Sequence, residues 1–439
     1  MDLLQANSQA LKAMRGMDQA EAFSVRSRTV AVYIDDSKVS NVETKDDAGM
    51  ALRLIKDRRM GSASSSLKPS APRNCAERAI RAASLSPADR RLRGFSAPTA
   101  SSTVSPMVVD ERLLDHSADR LVDLVEAIIA CTDVDIPRGL LRAATVDSAI
   151  SNSNGVEVMQ RRTMVYGHFT SMVDEPSPGE GVQVFHSNFL DLDPELVAVR
   201  LEESARSHAA ARPFLGQETM EMILPPSQLE DMTLSSMGSA LSGENVVLER
   251  SPWRERTGLS VASDTVTVTD DPSTPALLSG THDDEGTPIK PRTLIECGVL
   301  KGFMYDNYNG ESTGNGWRRE PVDAQGIHRL PVRIGPCNLS LSGGDMTLEE
   351  MIADTDNGVL VERLAWPEAD PLTGRFGLEL RCGHLIRKGK VVGTVKNALL
   401  AGDMFDAWTR VTGMTTEREK GARSHLPTVR FDGARLVGD

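Results

Sequence analysis

The chain is poor in cysteine, in aromatic residues and in long apolar runs. Its five cysteines are odd in number and widely spaced, which argues against a disulfide framework or a cysteine-rich zinc site and is typical of a reducing compartment. Aromatic residues make up 4% of the chain, so the cores must rely on aliphatic side chains and methionine. No stretch approaches the roughly 20 apolar residues that span a bilayer, and no basic flank precedes an apolar run near Met1. We therefore expect a cytoplasmic protein with no membrane partner.

Basic residues are outnumbered by acidic ones, 49 to 62. The formal net charge is -13 at pH 7, whereas binding to nucleic-acid phosphates needs a dense basic face. The pair Arg161 and Arg162 is a short cluster of the kind that usually belongs to a solvated face. We therefore expect no nucleic-acid partner.

What is present is the composition of a globular protein, with 40% hydrophobic and 25% charged residues. A length of 439 residues exceeds one ordinary core and predicts two domains. We place an N-terminal α+β domain at residues 1–210 and a C-terminal α+β domain at residues 211–439, both with mixed or antiparallel sheets. A Ser/Ala/Pro-rich connector at residues 96–105 is expected to be exposed or mobile.

Apolar spacing predicts the elements of both domains. Helices are expected at residues 3–22, 76–83, 117–130, 194–211, 228–241, 348–354 and 402–411. Strands are expected at residues 21–27, 29–35, 38–45, 50–56, 140–148, 156–172 and 218–224. The polar groups at residues 35–37 and 57–59 are expected to form turns between antiparallel neighbours.

Residues 281–319 are the most informative segment. An acidic turn at residues 282–286 precedes an apolar run to Tyr305, and a small polar loop follows at residues 311–316. This order of residues resembles the TldD/PmbA family, once labelled modulators of DNA gyrase and associated with metal-dependent proteolysis. Further segments in the family's order, such as residues 59–63 and 152–155, extend the resemblance over most of the chain. The resemblance implies the α+β fold with two domains.

The same resemblance raises the question of zinc. The catalytic branch of the family carries HExxxH on a helix, where two His bind Zn²⁺ and the Glu takes a proton from the metal-bound water, and a late Cys is another ligand. The corresponding helix here, residues 234–241, has neither His nor Glu, and residues 420–425 have no Cys. We therefore predict no catalytic residue, no metal ligand and no cofactor in this chain, which resembles the TldE (PmbA) branch.

Two groups of residues within the segment are candidates for a peptide cleft or for plain loops. In the acidic turn these are Asp283, Asp284, Glu285 and Gly286, and in the polar loop they are Ser312, Thr313, Gly314 and Asn315. Together with His282, the three acids are the best potential metal cluster. Consecutive residues on a turn rarely converge on one ion, and a turn in which the aspartates accept backbone N–H groups is favoured. The polar loop could present N–H groups to a peptide or an anion, or have no such role.

Cys382 and His384 are the best candidates for nucleophilic chemistry. They are two residues apart, and would share one face of a strand. A Cys/His pair also needs a third group that orients the His, and the sequence indicates none. A nucleophilic site is therefore disfavoured.

The resemblance implies a non-catalytic subunit of a TldD/TldE-type metalloprotease complex that degrades or processes unfolded or short peptides. A TldD-type metallopeptidase subunit would be the partner in a heterodimer and would supply the zinc, and the isolated chain could form a homodimer. Two alternatives remain open. The chain could be a hydrolase with its own unrecognised site, or a regulatory or binding protein that has no peptidase partner.

Overall fold

Two β-sheets, one from each half of the chain, form the framework of the protein. The computed structural model describes residues 2–99, 107–115, 117–318 and 324–438. Helices pack against an antiparallel sheet in the first half and a mixed sheet in the second, so the predicted α+β class is confirmed. Within the described residues, no helix combines the length and the apolar character needed to cross a membrane.

The sheet of the N-terminal half is antiparallel throughout, in the strand order β3-β2-β1-β4-β5-β6. Its strands are β1 (Gln19–Asp35), β2 (Lys38–Lys56), β3 (Arg59–Ser66), β4 (Asp135–Asn152), β5 (Glu157–Val173) and β6 (Gly179–Ser187). The predicted division of the first two strands into four short runs is wrong. The polar residues near Ser27 suggest that the strand ends there, but β1 continues through them. The Ser27 hydroxyl is satisfied by donating to the Ala324 carbonyl at 2.6 Å.

The turns that join these long strands were predicted correctly. Asp36 and Ser37 have φ values of 52° and 55°, and Asp57 and Arg58 have 51° and 58°. Two consecutive residues with positive φ form the tight turn that matches the twist of a β-hairpin. The hairpins therefore set the register in which Glu21 of β1 lies opposite Arg53 of β2.

The sheet of the C-terminal half is mixed, and its main path runs β11-β10-β9-β14-β20-β8-β15-β16-β17-β7. The strands of this half are β7 (Arg212–Pro213), β8 (Gly216–Leu224), β9 (Val268–Asp270), β10 (Arg292–Glu296), β11 (Val299–Leu300), β12 (Gly316–Trp317), β13 (Arg333–Ile334), β14 (Leu339–Leu341), β15 (Asn357–Leu364), β16 (Arg375–Arg387), β17 (Lys390–Lys396), β18 (Ala398–Asp403), β19 (Val411–Lys420) and β20 (Ser424–Gly438). Strands β12 and β13 pair only with each other among the described residues. The main core lies here, and its aromatic residues Trp408 and Phe431 meet edge to face at 5.0 Å.

Most helices lie close to their predicted positions, although α6 was not predicted. They are α1 (Leu3–Ala13), α2 (Ala71–Leu85), α3 (Ala118–Ala130), α4 (Pro194–Ala210), α5 (Pro226–Thr233), α6 (Gly243–Val247), α7 (Leu348–Asp354) and α8 (Met404–Trp408). The largest difference is at α1, which was predicted to reach residue 22 but ends at Ala13, while residues 19–22 belong to β1. After α5, the predicted helix continues as a π-helical segment, Leu234–Gly238. Such segments are rare and are frequent at functional sites.

Candidate functional site

The acidic turn at residues 282–286 is buried where the two halves of the chain meet. Asp283 has no exposed surface, and its carboxylate is surrounded by backbone donors. One oxygen accepts from the N–H groups of Glu285 and Thr287, at 3.0 and 2.9 Å, and the other accepts from the N–H of Gly316 at 2.9 Å. Asp283 therefore ties the turn to the start of β12, in the hydrogen-bonded arrangement that the sequence predicts.

The next two residues connect the turn to more distant parts of the chain. Asp284 accepts from the N–H of Arg318 at 2.9 Å. Glu285 accepts from the Arg53 guanidinium at 2.7 Å through one oxygen, and from the N–H of Asn307 at 2.8 Å through the other. Gly286 closes the turn with a φ of 78°, a conformation that favours glycine.

A four-residue ion network joins the turn to the N-terminal sheet. It consists of Glu21, Arg53, Glu285 and Arg318, and we call it the junction network. Arg53 donates to both oxygens of Glu21 at 2.9 Å and also to Glu285, while Arg318 donates to Glu21 at 3.2 Å. Arg318 also lies over the ring of Phe23, at 5.2 Å from its centroid. The network is almost fully buried, because its side chains are between 1% and 12% exposed.

Burial dominates the electrostatics of this region. Burial raises the pKa of Asp283 well above its ordinary value, the negative charge of Glu285 adds to the effect, and the backbone N–H donors oppose it. Burial also raises the pKa of Glu21, although Arg53 and Arg318 act in the opposite direction. The acids of the turn therefore face protein donors, and the structure brings them together with Arg53 and Arg318 as parts of an internal contact.

The polar loop at residues 311–316 has a buried part and an open part. Asn315 is buried and donates to Asp270 at 2.6 Å, and Gly314 is buried with a φ of 82°. Ser312 and Thr313 instead line an open groove of about 600 Å³. Of the eight predicted cleft or loop residues, these two are the ones on the groove.

A second region of interest is the contact between α5 and residues 420–425. Glu230 of α5 accepts from the N–H of Ala422 at 3.1 Å and from the N–H of Arg423 at 2.8 Å. In the π-helical segment, the Ser236 hydroxyl donates to the Met232 carbonyl at 2.5 Å. Residues 420–425 therefore contact α5, which leads directly into the π-helical segment, although Glu230 and Ala422 are 192 residues apart in the chain.

Comparison with known proteins agrees with this architecture. Residues 217–438 match the model of the PmbA/TldA metallopeptidase C-terminal domain, and residues 20–83 match that of PmbA/TldA metallopeptidase domain 1. The chain belongs to the PmbA/TldD metallopeptidase family. The resemblance stated from the sequence is thereby confirmed.

Relatives that match nearly the whole of this chain share only about a quarter of its residues. An uncharacterized protein of Methanocaldococcus jannaschii is 25% identical over 428 residues, which cover 94% of this chain and 95% of the relative. A metalloprotease of Methanothermobacter thermautotrophicus is 23% identical over 431 residues, which cover 92% and 90%. The crystal structure of TldE from Thermococcus kodakarensis matches with a TM-score of 0.88 and 25% identity, over 98% of this chain and 99% of that one.

The family implies a zinc ion in its catalytic branch, and the residues at the α5 contact do not fit one. Met237 is fully buried, and the hydroxyl of Ser236 is hydrogen-bonded to the helix backbone. Ser235 accepts from the N–H of Ala369 at 3.0 Å. Zinc in proteins is held by Cys, His, Asp or Glu, and no group of three such residues suited to a metal occurs in the described ranges. No step through zinc follows for this chain.

Asp231 is an acidic group at this contact whose pKa is clearly perturbed. Burial raises its pKa to about 6, and the negative charges of Glu230 and Glu368 add to the shift, while Arg423 opposes it. A carboxyl group with a raised pKa is a feature of many catalytic acids and bases. Asp231 is therefore the residue on which the alternative of an independent hydrolase would rest.

The prediction that Cys382 and His384 lack a third group is wrong. Glu362 on β15 accepts from the Cys382 thiol at 3.2 Å and lies 3.1 Å from Nε2 of His384. It also accepts from the hydroxyls of Ser204 and Ser207 on α4, at 2.9 and 2.6 Å. Burial and the Glu362 carboxylate raise the pKa of Cys382 to about 12. The thiol therefore acts as a donor to Glu362 and is a poor nucleophile.

Two residues expected at the surface are buried. Arg162 is 2% exposed, donates to the Ser279 carbonyl at 2.7 Å and lies over the ring of Trp317. In the predicted connector, Ser96 is buried and its hydroxyl lies 2.8 Å from that of Thr287. Residues 97–99 are exposed, and residues 100–105 lie outside the described part of the chain. The start of the connector is thus part of the contact between the halves.

Proposed function

We propose that this chain is the zinc-free, TldE-type subunit of a two-chain metalloprotease that processes unfolded or short peptides. A TldD-type partner would supply the zinc and the hydrolysis. The observation that supports this most strongly is the contact between α5 and residues 420–425. In residues 234–241, serines and a methionine stand where the resemblance implies the His and Glu of the catalytic branch, and Glu230 accepts from the backbone of residues 422 and 423.

The role of this subunit would be to hold peptides rather than to cleave them. The junction network ties the two halves together, and the open groove beside Ser312 and Thr313 takes Arg93 from the first half and Arg292 from the second. A peptide could lie there in extended form, and main-chain pairing of this kind depends little on sequence. This would suit a protease that accepts many unfolded substrates.

The test is reconstitution with a TldD-type subunit from the same organism. We expect the purified chain to contain far less than one zinc per molecule and to hydrolyse no peptide by itself. Activity should rise on titration with the partner and reach a plateau at one-to-one stoichiometry. An Asp231→Asn variant should reconstitute as well as the wild type.

Three other results would contradict the proposal. Peptide hydrolysis by the isolated chain that is lost in Asp231→Asn would favour an independent hydrolase. Stoichiometric zinc in the isolated chain would argue against a zinc-free subunit. Failure of any TldD-type protein to co-purify or to gain activity would favour a binding protein that has no peptidase partner.

A further inference from the structure

The open groove contains two arginines that lack protein partners. Arg93 and Arg292 line it, together with Tyr305 and the loop at residues 309–313. Neither guanidinium forms an ion pair or a hydrogen bond with any residue in the described ranges. Both side chains are exposed, whereas neighbouring Arg91 lies 3.4 Å from Asp89 and over the ring of Tyr308. Two guanidinium groups that have no protein partner in one groove are available to an anionic ligand.

The loop that forms one wall of the groove is held in place by its own hydrogen bonds. The N–H of Tyr305 donates to the Thr313 hydroxyl at 2.8 Å, and the N–H of Thr313 donates to the Tyr305 carbonyl at 3.0 Å. Asp306 accepts from the N–H of Asn309 at 2.8 Å. Gly310 lies against the Tyr305 ring, where a Cβ atom would come within 2.5 Å of it. Because the wall is preformed, a ligand need not order it on binding.

We propose that this groove binds the C-terminal carboxylate of a short peptide through Arg93 and Arg292. The identity of the ligand as a peptide rests on the proposed function. A guanidinium matches a carboxylate with two parallel hydrogen bonds, and capture of a terminal carboxylate is a recurring mode of peptide recognition. The groove volume of about 600 Å³ leaves room for residues beyond the carboxylate, since sites for small ligands span roughly 300–1,000 Å³.

A further side chain limits the charge of the ligand. Glu311 is exposed and lines the same groove, and its carboxylate repels a ligand that carries several negative charges. A peptide has one negative charge at its C-terminal end and neutral backbone groups before it. Inorganic phosphate or an acidic side chain could also meet Arg93 and Arg292, so the test must separate these sources of negative charge.

The test compares one fluorescent hexapeptide in two forms, with a free C-terminal carboxylate and with a C-terminal amide. Fluorescence anisotropy is measured with the full-length protein, alone and in a one-to-one mixture with the TldD-type subunit. We expect the free acid to bind at least about tenfold more tightly than the amide, because the amide loses a charge-assisted hydrogen bond to the arginines. Arg93→Ala and Arg292→Ala should each weaken binding of the acid about tenfold and leave the amide unchanged.

The controls address charge and folding. Arg200→Ala removes an exposed arginine on α4 and should leave both affinities unchanged. Equal binding of acid and amide, or displacement of the acid by inorganic phosphate at a similar concentration, would overturn the proposal. If the reconstituted complex hydrolyses both peptide forms equally well, the proposed function stands and the carboxylate site is refuted. If reconstitution yields no activity while the acid preference persists, the proposed function fails and the binding site stands.

Discussion

Two carboxylate centres, one buried and one partly buried, join the halves of this protein, and they are stabilised by different partners. In the junction network, Glu21 and Glu285 face the guanidinium groups of Arg53 and Arg318. In the second centre, Glu362 accepts from two serines and a cysteine and also faces His384. Charged partners replace water in the fully buried centre, whereas mostly neutral donors suffice for Glu362, whose side chain is 22% exposed.

The pKa values of the two centres differ accordingly. Burial raises the pKa of Glu21 despite its two arginines. Burial also acts to raise the pKa of Glu362, but the hydrogen bonds from His384, Ser207 and the other donors outweigh it, and the pKa is lowered. The comparison teaches that the acid-rich segment, conspicuous in the sequence, is the more deeply buried centre and the less accessible one.

The largest expected effect comes from Arg53→Ala. This change leaves Glu21 and Glu285 buried with a cationic partner removed, and breaking a buried ion pair on one side typically costs about 3–5 kcal/mol. Urea unfolding should show this loss of stability. Arg161→Ala is the matched control, because Arg161 pairs with Asp147 at 2.6 Å but is 48% exposed, so it should cost less than about 1 kcal/mol. Equal losses for the two variants would show that the junction network has no special role.

An intermediate effect is expected for Glu362→Gln. Hydrogen bonds to a charged group contribute roughly 1.5–3 kcal/mol each, and the amide retains part of them, so we expect a loss of about 1–3 kcal/mol at pH 7. Because the pKa of Glu362 is lowered on folding, its contribution is present above the unfolded value of 4.5 and is lost as pH falls below it. The unfolding curves of the wild type and the variant should therefore differ at pH 7 and lie closer together at pH 3.5.

The matched control for this change is Glu379→Gln. Glu379 forms an exposed ion pair with Arg381 at 3.2 Å, with side chains 47% and 42% exposed, so its removal should change stability by less than about 1 kcal/mol. A Glu362→Gln loss that is the same at both pH values would contradict the assignment of a lowered pKa to Glu362.

The smallest effect, with the opposite sign, is expected for Asp231→Asn. Folding raises the pKa of Asp231 from 3.8 to about 6, so the folded state binds more protons between these values and wild-type stability falls as pH rises through this window. The variant should be more stable than the wild type at pH 7 and not at pH 3.5. Because the residue packs against other groups on one side but also has solvent-exposed surface, solvent screening limits the gain to under about 1 kcal/mol.

Thermal unfolding at both pH values measures this difference. Asp123→Asn, on the exposed side of α3, is the control and should not alter the pH dependence. Destabilisation by Asp231→Asn at pH 7 would mean that the Asp231 charge is favourable in the folded protein, against the present assignment.

The fold could be predicted where its signals are local. The helix α7 was predicted with its observed bounds, and Thr347 and Glu350 form a capping box at its start. The tight turns at Asp36 and Asp57 also have local causes, since short polar residues tolerate positive φ. Strand β3 was missed because its residues, RMGSASSS, have little apolar alternation and depend on pairing with β2 for their structure.

The candidate site was harder to predict because its contacts are distant in sequence. Glu362 meets Cys382 only through the register of β15 and β16, so the third group of that cluster could not be found from spacing. Arg93 and Arg292 come together on one groove from opposite halves, and neither has a motif around it. In contrast, the absence of His and Glu from residues 234–241 is visible in the sequence itself. The family resemblance identifies it as the loss of the HExxxH motif of the catalytic branch.

The most direct test of the central claim is a titration of the zinc-free chain with a zinc-loaded TldD-type subunit from the same organism, followed by peptide hydrolysis. The account predicts no hydrolysis by this chain alone and a maximum at one-to-one stoichiometry, with the zinc remaining bound to the partner. Hydrolysis by this chain alone, or a partner whose activity is unaffected by it, would contradict the claim.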